Sequence, residues 1–264
     1  MSGLAATDVA ASLGDREVLN SVNFSAKPGE VVGLIGPNGV GKTTLLRILS
    51  GLLIPERGTV TLDDIPLATI PHAQRAKQIA YLPADAPVHW PLRVDRLVAL
   101  GRIPHASLWQ PIDHTNTPTI DSAMTRTDVA HLAHRVISTL SSGERARVLI
   151  ARALAVEPDV LLADEPVSSL DPYHQLQVME MLQDVADDDR IVVAVLHDLT
   201  LAARFCDRIA LIADGRIAHD GQPDVVLTSD VVQDAYGVET VTASTSAGEF
   251  VVPWRRMDSG SRST

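Results

Sequence analysis

The sequence predicts an α/β fold with a parallel core sheet flanked by helices, an antiparallel β part and a small inserted helical subdomain. Three observations predict it. Short, uniformly apolar runs of strand length alternate with helical stretches, the order expected of a parallel sheet. A glycine-rich loop joins one of these runs to a helix. A proline-rich stretch with helical patches and no strand-like run interrupts the alternation.

The elements follow in chain order. Val18 to Phe24 alternates loosely, as in an antiparallel strand, and Lys27-Pro28-Gly29 turns the chain. Glu30 to Ile35 (EVVGLI) is apolar almost throughout and reads as a buried strand. Glycines follow, and Thr43 to Leu49 presents an apolar helical face. Further buried strands are expected at Ile79 to Leu82, Val160 to Ala163, Ile191 to Leu196 and Arg208 to Ala213. Helices are expected at Glu144 to Ala155, Pro172 to Ala186 and Leu199 to Phe205. Asp214-Gly215 lies between two apolar runs and signals a hairpin. The core is thus assigned to residues 1–86 and 140–240, with the antiparallel part within about 1–30 and 58–64. Residues 87–139 form the insertion. It has Pro at 87, 91, 104, 111 and 118, and helical patches at Val94 to Leu100 and Val129 to Val136. Residues 241–264 are a polar, Ser/Thr-rich tail, expected to give a short edge strand and then a frayed end.

Composition narrows the function classes. Of 264 residues, 22 are Lys or Arg and 33 are Asp or Glu, giving a formal charge of −11. That balance argues against a sequence-independent grip on nucleic acid, which needs clustered cations on phosphates. It also argues against self-anchoring on anionic lipid. The single cysteine, Cys206, excludes an internal disulfide framework. Nine histidines are present, but none pairs with a Cys or carboxylate at transition-metal spacing. The start lacks the basic and long apolar regions of a secretory signal, and no run is long enough to span a bilayer. The expectation is a cytoplasmic chain whose membrane partner, if it has one, is a separate subunit.

Gly36-Pro37-Asn38-Gly39-Val40-Gly41-Lys42-Thr43, followed by Thr44, satisfies the phosphate-loop pattern G-x-x-x-x-G-K-[ST]. Glycines let successive backbone amides point at one spot, where the next helix adds its positive N-terminal dipole. Lys42 is placed to neutralise the β- and γ-phosphates, and the Thr43 hydroxyl to ligate Mg²⁺. Because the match falls between a buried strand and a helix, a mere glycine-rich turn is a poor explanation.

Val160 to Glu165 (VLLADE) is a buried strand ending in two carboxylates, at the sheet edge where such folds bind ligands. Asp164 is the natural Mg²⁺ partner, directly or through water. Glu165 is placed to orient and deprotonate an attacking water. His197 ends the run Ile191 to Leu196, also at a carboxyl strand end, where a lone His is more often structural. Leu140-Ser141-Ser142-Gly143-Glu144 opens a helix, and taken alone it reads as an N-cap at Ser141 or Ser142.

The order of phosphate loop, insertion, LSSGE, strand with Asp-Glu and then His197 resembles the ATP-binding-cassette ATPases, whose signature is LSGGQ. The resemblance covers the chain to about residue 240. It implies the phosphate-loop nucleoside triphosphatase fold, ATP hydrolysis with Mg²⁺, and ATP clamped between two copies of the chain. Ser141, Ser142, Gly143 and Glu144 would then contact the γ-phosphate held by the other copy. Asp171, after Ser168-Ser169-Leu170, would be a dimer-contact carboxylate, compatible with its evident role as N-cap before Pro172. His197 would be the switch histidine that touches the γ-phosphate and holds Glu165 and the water.

Val88 to Leu92, Val98 to His105 and Leu196-His197-Asp198-Leu199 resemble the ATPases of bacterial iron-chelate, haem and cobalamin importers. That implies polytopic permease partners, a location on the inner face of the cell membrane and, indirectly, a secreted substrate-binding protein. Three positions depart from the family pattern. Ala84 stands after Ala80-Tyr81-Leu82-Pro83 where the family has a Mg²⁺-reaching Gln, with Asp85 beside it. Leu13 replaces the adenine-stacking aromatic before Gly14, and Ser142 replaces a signature glycine. These keep open a weakly active regulatory subunit; a soluble ATPase switch outside transport is a separate alternative.

Overall fold

The computed structural model describes residues 3–84, 90–106, 118–245 and 248–257. Two long strands, β1 (Leu4–Leu13) and β2 (Arg16–Ala26), lead into β3 (Glu30–Ile35) and helix α1 (Lys42–Leu49). Next come β4 (Arg57–Leu62), β5 (Ile65–Pro66), α2 (His72–Gln78) and β6 (Ile79–Leu82). The insertion contributes α3 (Val94–Ala99) and α4 (Pro118–Arg126), and α5 (Ser142–Leu154) returns the chain to the sheet at β7 (Val160–Asp164). Then follow α6 (Pro172–Asp187), β8 (Ile191–Val195), α7 (Leu199–Phe205), β9 (Arg208–Ala213) and β10 (Arg216–Gly221). The described chain closes with α8 (Pro223–Val226), α9 (Ser229–Tyr236), β11 (Val238–Thr245) and β12 (Gly248–Arg256).

The central sheet has the order β10-β9-β3-β8-β7-β6, and only β10 runs antiparallel to its neighbour. A second sheet, β2-β1-β4-β5, is antiparallel. Asp214 and Gly215 both take positive φ between β9 and β10, as a tight primed turn requires. The central strands are apolar throughout because both their faces are covered. Val31 and Ile35 of β3, Leu161 and Ala163 of β7, and Val192 and Ala194 of β8 pack in a core shared with the insertion, α5, α6 and α7. Their alternates, Val32, Leu34, Leu162, Val193 and Val195, face α1 and the antiparallel sheet. Truncating a fully buried Leu such as Leu34 or Leu162 in this layer costs about 2–5 kcal/mol. Buried Cys206 lies against Gly33, where a Cβ would sit 2.8 Å from its Sγ, and burial pushes its thiol up to about 12.

The structure corrects two local expectations. Val129 to Val136 is no α-helix; it holds a short 3₁₀ turn at Ala130–Leu132 and an antiparallel bridge from Val136 to Arg93. Its carbonyls are engaged elsewhere: Arg135 O and Ala133 O accept from Val94 N and Asp95 N, amides at the start of α3 that no helix can satisfy internally. The helix that packs in the insertion alongside α3 is instead α4, with Ile120, Ala123 and Met124 inward. The tail gives not one edge strand but the hairpin β11-β12, separate from both other sheets and seated on α7 and α9. Pro87, Val88, His89, Pro111 and Asp85 lie outside the described residues.

Candidate functional site

Strand register assembles the site. Leu34 of β3 pairs with Val195 of β8, and Val195 pairs with Asp164 of β7. The residues that follow this row therefore emerge together at the carboxyl edge: the glycine loop after β3, Glu165 after β7 and His197 after β8. Beyond β7, β6 brings Ala84 to the same edge through the pairing of Leu82 with Ala163.

Glycine is obligatory in the loop. Gly39 has φ +79°, and Gly41 has φ +105° with Val18 O and Leu19 so close that a Cβ would sit 2.7 Å from that carbonyl. Lys42, 6% exposed, donates from Nζ to Gly36 O at 2.6 Å and Pro37 O at 2.8 Å. Burial lowers its pKa, with the Glu165 and then the Asp164 carboxylates opposing. Thr44, at the third position of α1, is buried in the helix's inner face.

Thr43 Oγ1 donates to Asp164 Oδ1 at 3.1 Å, and the Tyr81 hydroxyl donates to Oδ2 at 3.1 Å. Burial raises the pKa of Asp164; hydrogen bonds from Thr43 and Tyr81 act against it, and Glu165 adds to it. A hydroxyl and a carboxylate side by side at the foot of the glycine loop are hard oxygen donors, the set that Mg²⁺ accepts. His197 Nε2 lies 2.7 Å from Glu165 Oε1, and both side chains are part-exposed. Glu165 itself holds a left-handed backbone conformation, φ +51°, that turns the chain out of β7.

The signature segment forms a second group. Ser141 is the N-cap of α5 in a complete capping box: its hydroxyl accepts from Glu144 N at 3.2 Å, and Glu144 Oε2 accepts from Ser141 N at 2.8 Å. The Ser141 backbone bond chiefly holds the Glu144 carboxyl below its usual range. Ser142 is the first helical residue and is exposed. Asp171 caps α6 by accepting from His174 N at 3.1 Å. The His174 ring fills the space over Gly143, where a Cβ would sit 2.4 Å from it, and its Nδ1 is 3.1 Å from Arg147 Nη1. So Gly143 and the Asp171 helix are locked together. Among the described residues no hydrogen bond or ion pair joins this group to the glycine loop of the same chain. Leu13 stands 57% exposed at the β1–β2 turn.

Tyr81, Arg47 and His174 were not singled out from the sequence. Tyr81 and Arg47 meet over Asp164. Their proximity depends on packing of β6 and α1 against β7, which no local pattern encodes. His174, three residues after a capping Asp, was findable only as the residue facing Gly143.

A parallel sheet with a glycine loop, a buried lysine and paired carboxylates at one edge defines a phosphate-loop nucleotide-binding protein. The family model described as ABC transporter matches residues 19–168. The chain belongs to that family. It is 42% identical over 242 residues to a cobalamin import ATP-binding protein of Halobacterium salinarum, covering 91% of this chain and 60% of that protein. The chain thus spans less than two thirds of that relative's length. A hemin import ATP-binding protein of Nocardia farcinica is 43% identical over 242 residues, with 91% of this chain and 83% of that one covered. A bacterial ABC transporter cassette solved as a dimer superposes with TM-score 0.72 at 27% identity, covering 83% of this chain and 98% of that one.

Proposed function

We propose that this chain is the ATP-binding and ATP-hydrolysing subunit of an importer for a metal complex of the haem or cobalamin kind. The observation that carries the reading is the meeting at one sheet edge of the glycine loop, the Thr43–Asp164 pair and the Glu165–His197 pair. The printed names of the 42% and 43% identical relatives support the substrate class.

In this reading the amides of Gly36 to Thr44 cradle the α-, β- and γ-phosphates, and Lys42 moves from its loop carbonyls onto the β- and γ-oxygens. Thr43 and Asp164 would hold Mg²⁺, which would supply positive charge to the nucleotide's phosphates. Glu165 accepts a proton from the water that attacks the γ-phosphorus, as the bond to the bridging oxygen of ADP breaks. His197 fixes the Glu165 carboxylate and faces the γ-phosphate. Two copies close on two ATP molecules, each presenting Ser141, Ser142, Gly143, Glu144 and Asp171 to the other's nucleotide. The dimeric cassette at 27% identity supports this arrangement. The insertion, residues 87–139, passes closure to polytopic permease subunits from the cytoplasmic face, and a secreted binding protein delivers the cargo on the other side. Among the described residues no helix is long and apolar enough to cross a membrane.

Phosphate release from Mg²⁺ and ATP, measured alone and after co-purification with a many-helix membrane protein, tests the reading. Hydrolysis that rises with the permease supports it. Hydrolysis that no membrane partner changes favours a soluble switch, and ATP binding without hydrolysis favours a regulatory subunit.

A further inference from the structure

The segment after the core strands is not a loose end. Strand β12 is anchored by Val251, 5% exposed, within the core that also holds α5, α6 and α7. Helix α9 buries Val232 completely and ends at Gly237, whose left-handed conformation turns the chain into β11. Met257 N donates to Gly237 O at 2.9 Å, so the hairpin closes back on the end of α9. Helix α9 and hairpin β11-β12 form one packed unit.

This unit touches the site at two places. Thr200 Oγ1 donates to Val251 O at 3.0 Å and accepts from Val251 N at 3.3 Å. Thr200 is the second residue of α7, whose N-cap is Asp198, and Asp198 Oδ1 accepts from Thr200 N at 2.8 Å and Leu201 N at 2.9 Å. His197 directly precedes that cap. A hydroxyl that both donates to and accepts from one residue of β12 therefore fixes the first turn of α7, and with it the root of the histidine that grips Glu165. At the other end of the unit Tyr236, the last residue of α9, sends its buried hydroxyl beside the amide of Gly36, without the geometry of a full hydrogen bond to any described group. Gly36 is the first glycine of the phosphate loop. A buried phenol so placed is an expensive group unless its orientation is used.

We infer that the C-terminal unit is a positioning element of the nucleotide site, with Thr200 setting His197 and Tyr236 setting the start of the phosphate loop. Neither residue reaches the reacting atoms; each acts through a neighbour. The inference rests on the ATPase reading above only for its kinetic consequence.

The test uses the full chain with Thr200→Val, Thr200→Ser and Tyr236→Phe. Valine keeps the shape of threonine and removes both hydrogen bonds, whereas serine keeps the hydroxyl. Thr200→Val is expected to lower kcat for ATP several-fold with KM changed less than twofold, and Thr200→Ser to restore it. The ring carbon resonances of labelled His197 should shift in the valine variant and not in the serine variant. Tyr236→Phe is expected to change binding of a non-hydrolysable ATP analogue with Mg²⁺ by roughly threefold or more in calorimetry. Unshifted His197 resonances in Thr200→Val, together with wild-type analogue binding in Tyr236→Phe, overturn the inference. Equal loss in the valine and serine variants overturns it too, because it would mark a general packing defect. A wild-type chain that fails to hydrolyse ATP while His197 still responds to Thr200→Val sinks the ATPase reading and leaves this one standing.

Discussion

His197 Nε2 and Glu165 Oε1 meet at 2.7 Å across the ends of two adjacent parallel strands, β8 and β7. Both residues lie just past the strand ends, so the register of β7 and β8 brings them to the same edge. A base held this way needs little reorganisation when a water is brought to it. Replacing Glu165 by Gln keeps the shape and removes the ability to take a proton. Hydrolysis is expected to fall by roughly 10²-fold or more while ATP still binds. With the reaction stopped, ATP and Mg²⁺ should hold the variant as a dimer in size exclusion. A variant that stays monomeric under saturating ATP removes the trans sandwich for this chain.

Lys42 is buried and bonded to two carbonyls of its own loop. Lys42→Ala deletes a cation that ATP phosphates engage by charge-assisted hydrogen bonds, worth about 1.5–3 kcal/mol each. The expected loss of ATP affinity is roughly 10- to 100-fold. Calorimetry reads it directly, and unchanged binding would remove the assignment of Gly36 to Thr43.

Asp164 carries a cost that nucleotide binding offsets. Burial lifts its carboxyl pKa above the usual value in the folded protein. The native state then holds the proton more tightly than the unfolded chain, so stability falls as pH rises through the window above the ordinary Asp range. The penalty is present once pH exceeds the raised folded value and disappears in acid below the ordinary Asp range. Asp164→Asn is expected to raise the Tm of the nucleotide-free protein at pH 7 by about 2–4 °C, the shift of ~1 kcal/mol in a domain this size. The gain should vanish near pH 4, while hydrolysis is lost at any pH. A lower Tm for the variant at pH 7 would mean that the bonds from Thr43 and Tyr81 outweigh burial.

Much of this site is legible in the linear sequence because its parts are contiguous. The glycine loop, the Asp164-Glu165 pair and the 141–144 cap each combine a motif with the strand or helix that presents it. Tyr81 over Asp164 and His174 over Gly143 are not legible, since each depends on two elements packed at a particular register. The insertion shows the same limit. The residues 129–136 have a helix-like apolar pattern, yet their carbonyls are drawn to the unsatisfied amides of α3. The tail is polar enough to look frayed, and among the described residues Val251 ties the hairpin to the core, with Val238 packed against it.

The contact between Gly143 and His174 makes a prediction about non-additivity. Gly143→Ala places a methyl 2.4 Å from a ring held by Arg147, so the variant should lose about 1–3 kcal/mol by overpacking. His174→Ala alone leaves a void, but in the double variant the methyl has room. Denaturant midpoints should show the double variant more stable than the sum of the single losses predicts. Strict additivity would mean that the helix start shifts away instead of pressing on the ring.

Ala84 offers the last test. It lines a cavity of about 420 Å³ together with Ser142, Arg145 and Glu165, so a longer side chain has space beside the proposed catalytic base. Methyl in place of amide gives position 84 no side-chain oxygen to offer the Thr43–Asp164 pair. In Ala84→Gln an amide oxygen on Mg²⁺ or its water would be a charge-assisted contact, of order 1.5–3 kcal/mol if well placed. ATPase activity of the chain assembled with the proposed permease is expected to rise several-fold, and that of the isolated chain to rise less, because the same segment leads into the insertion that in this proposal would meet the membrane partner. Both forms are assayed side by side, with and without the permease. A gain only in the isolated chain would place the effect on the metal alone. No gain in either form would mean that another group on this edge already completes the shell, and that Ala84 is not a lost ligand.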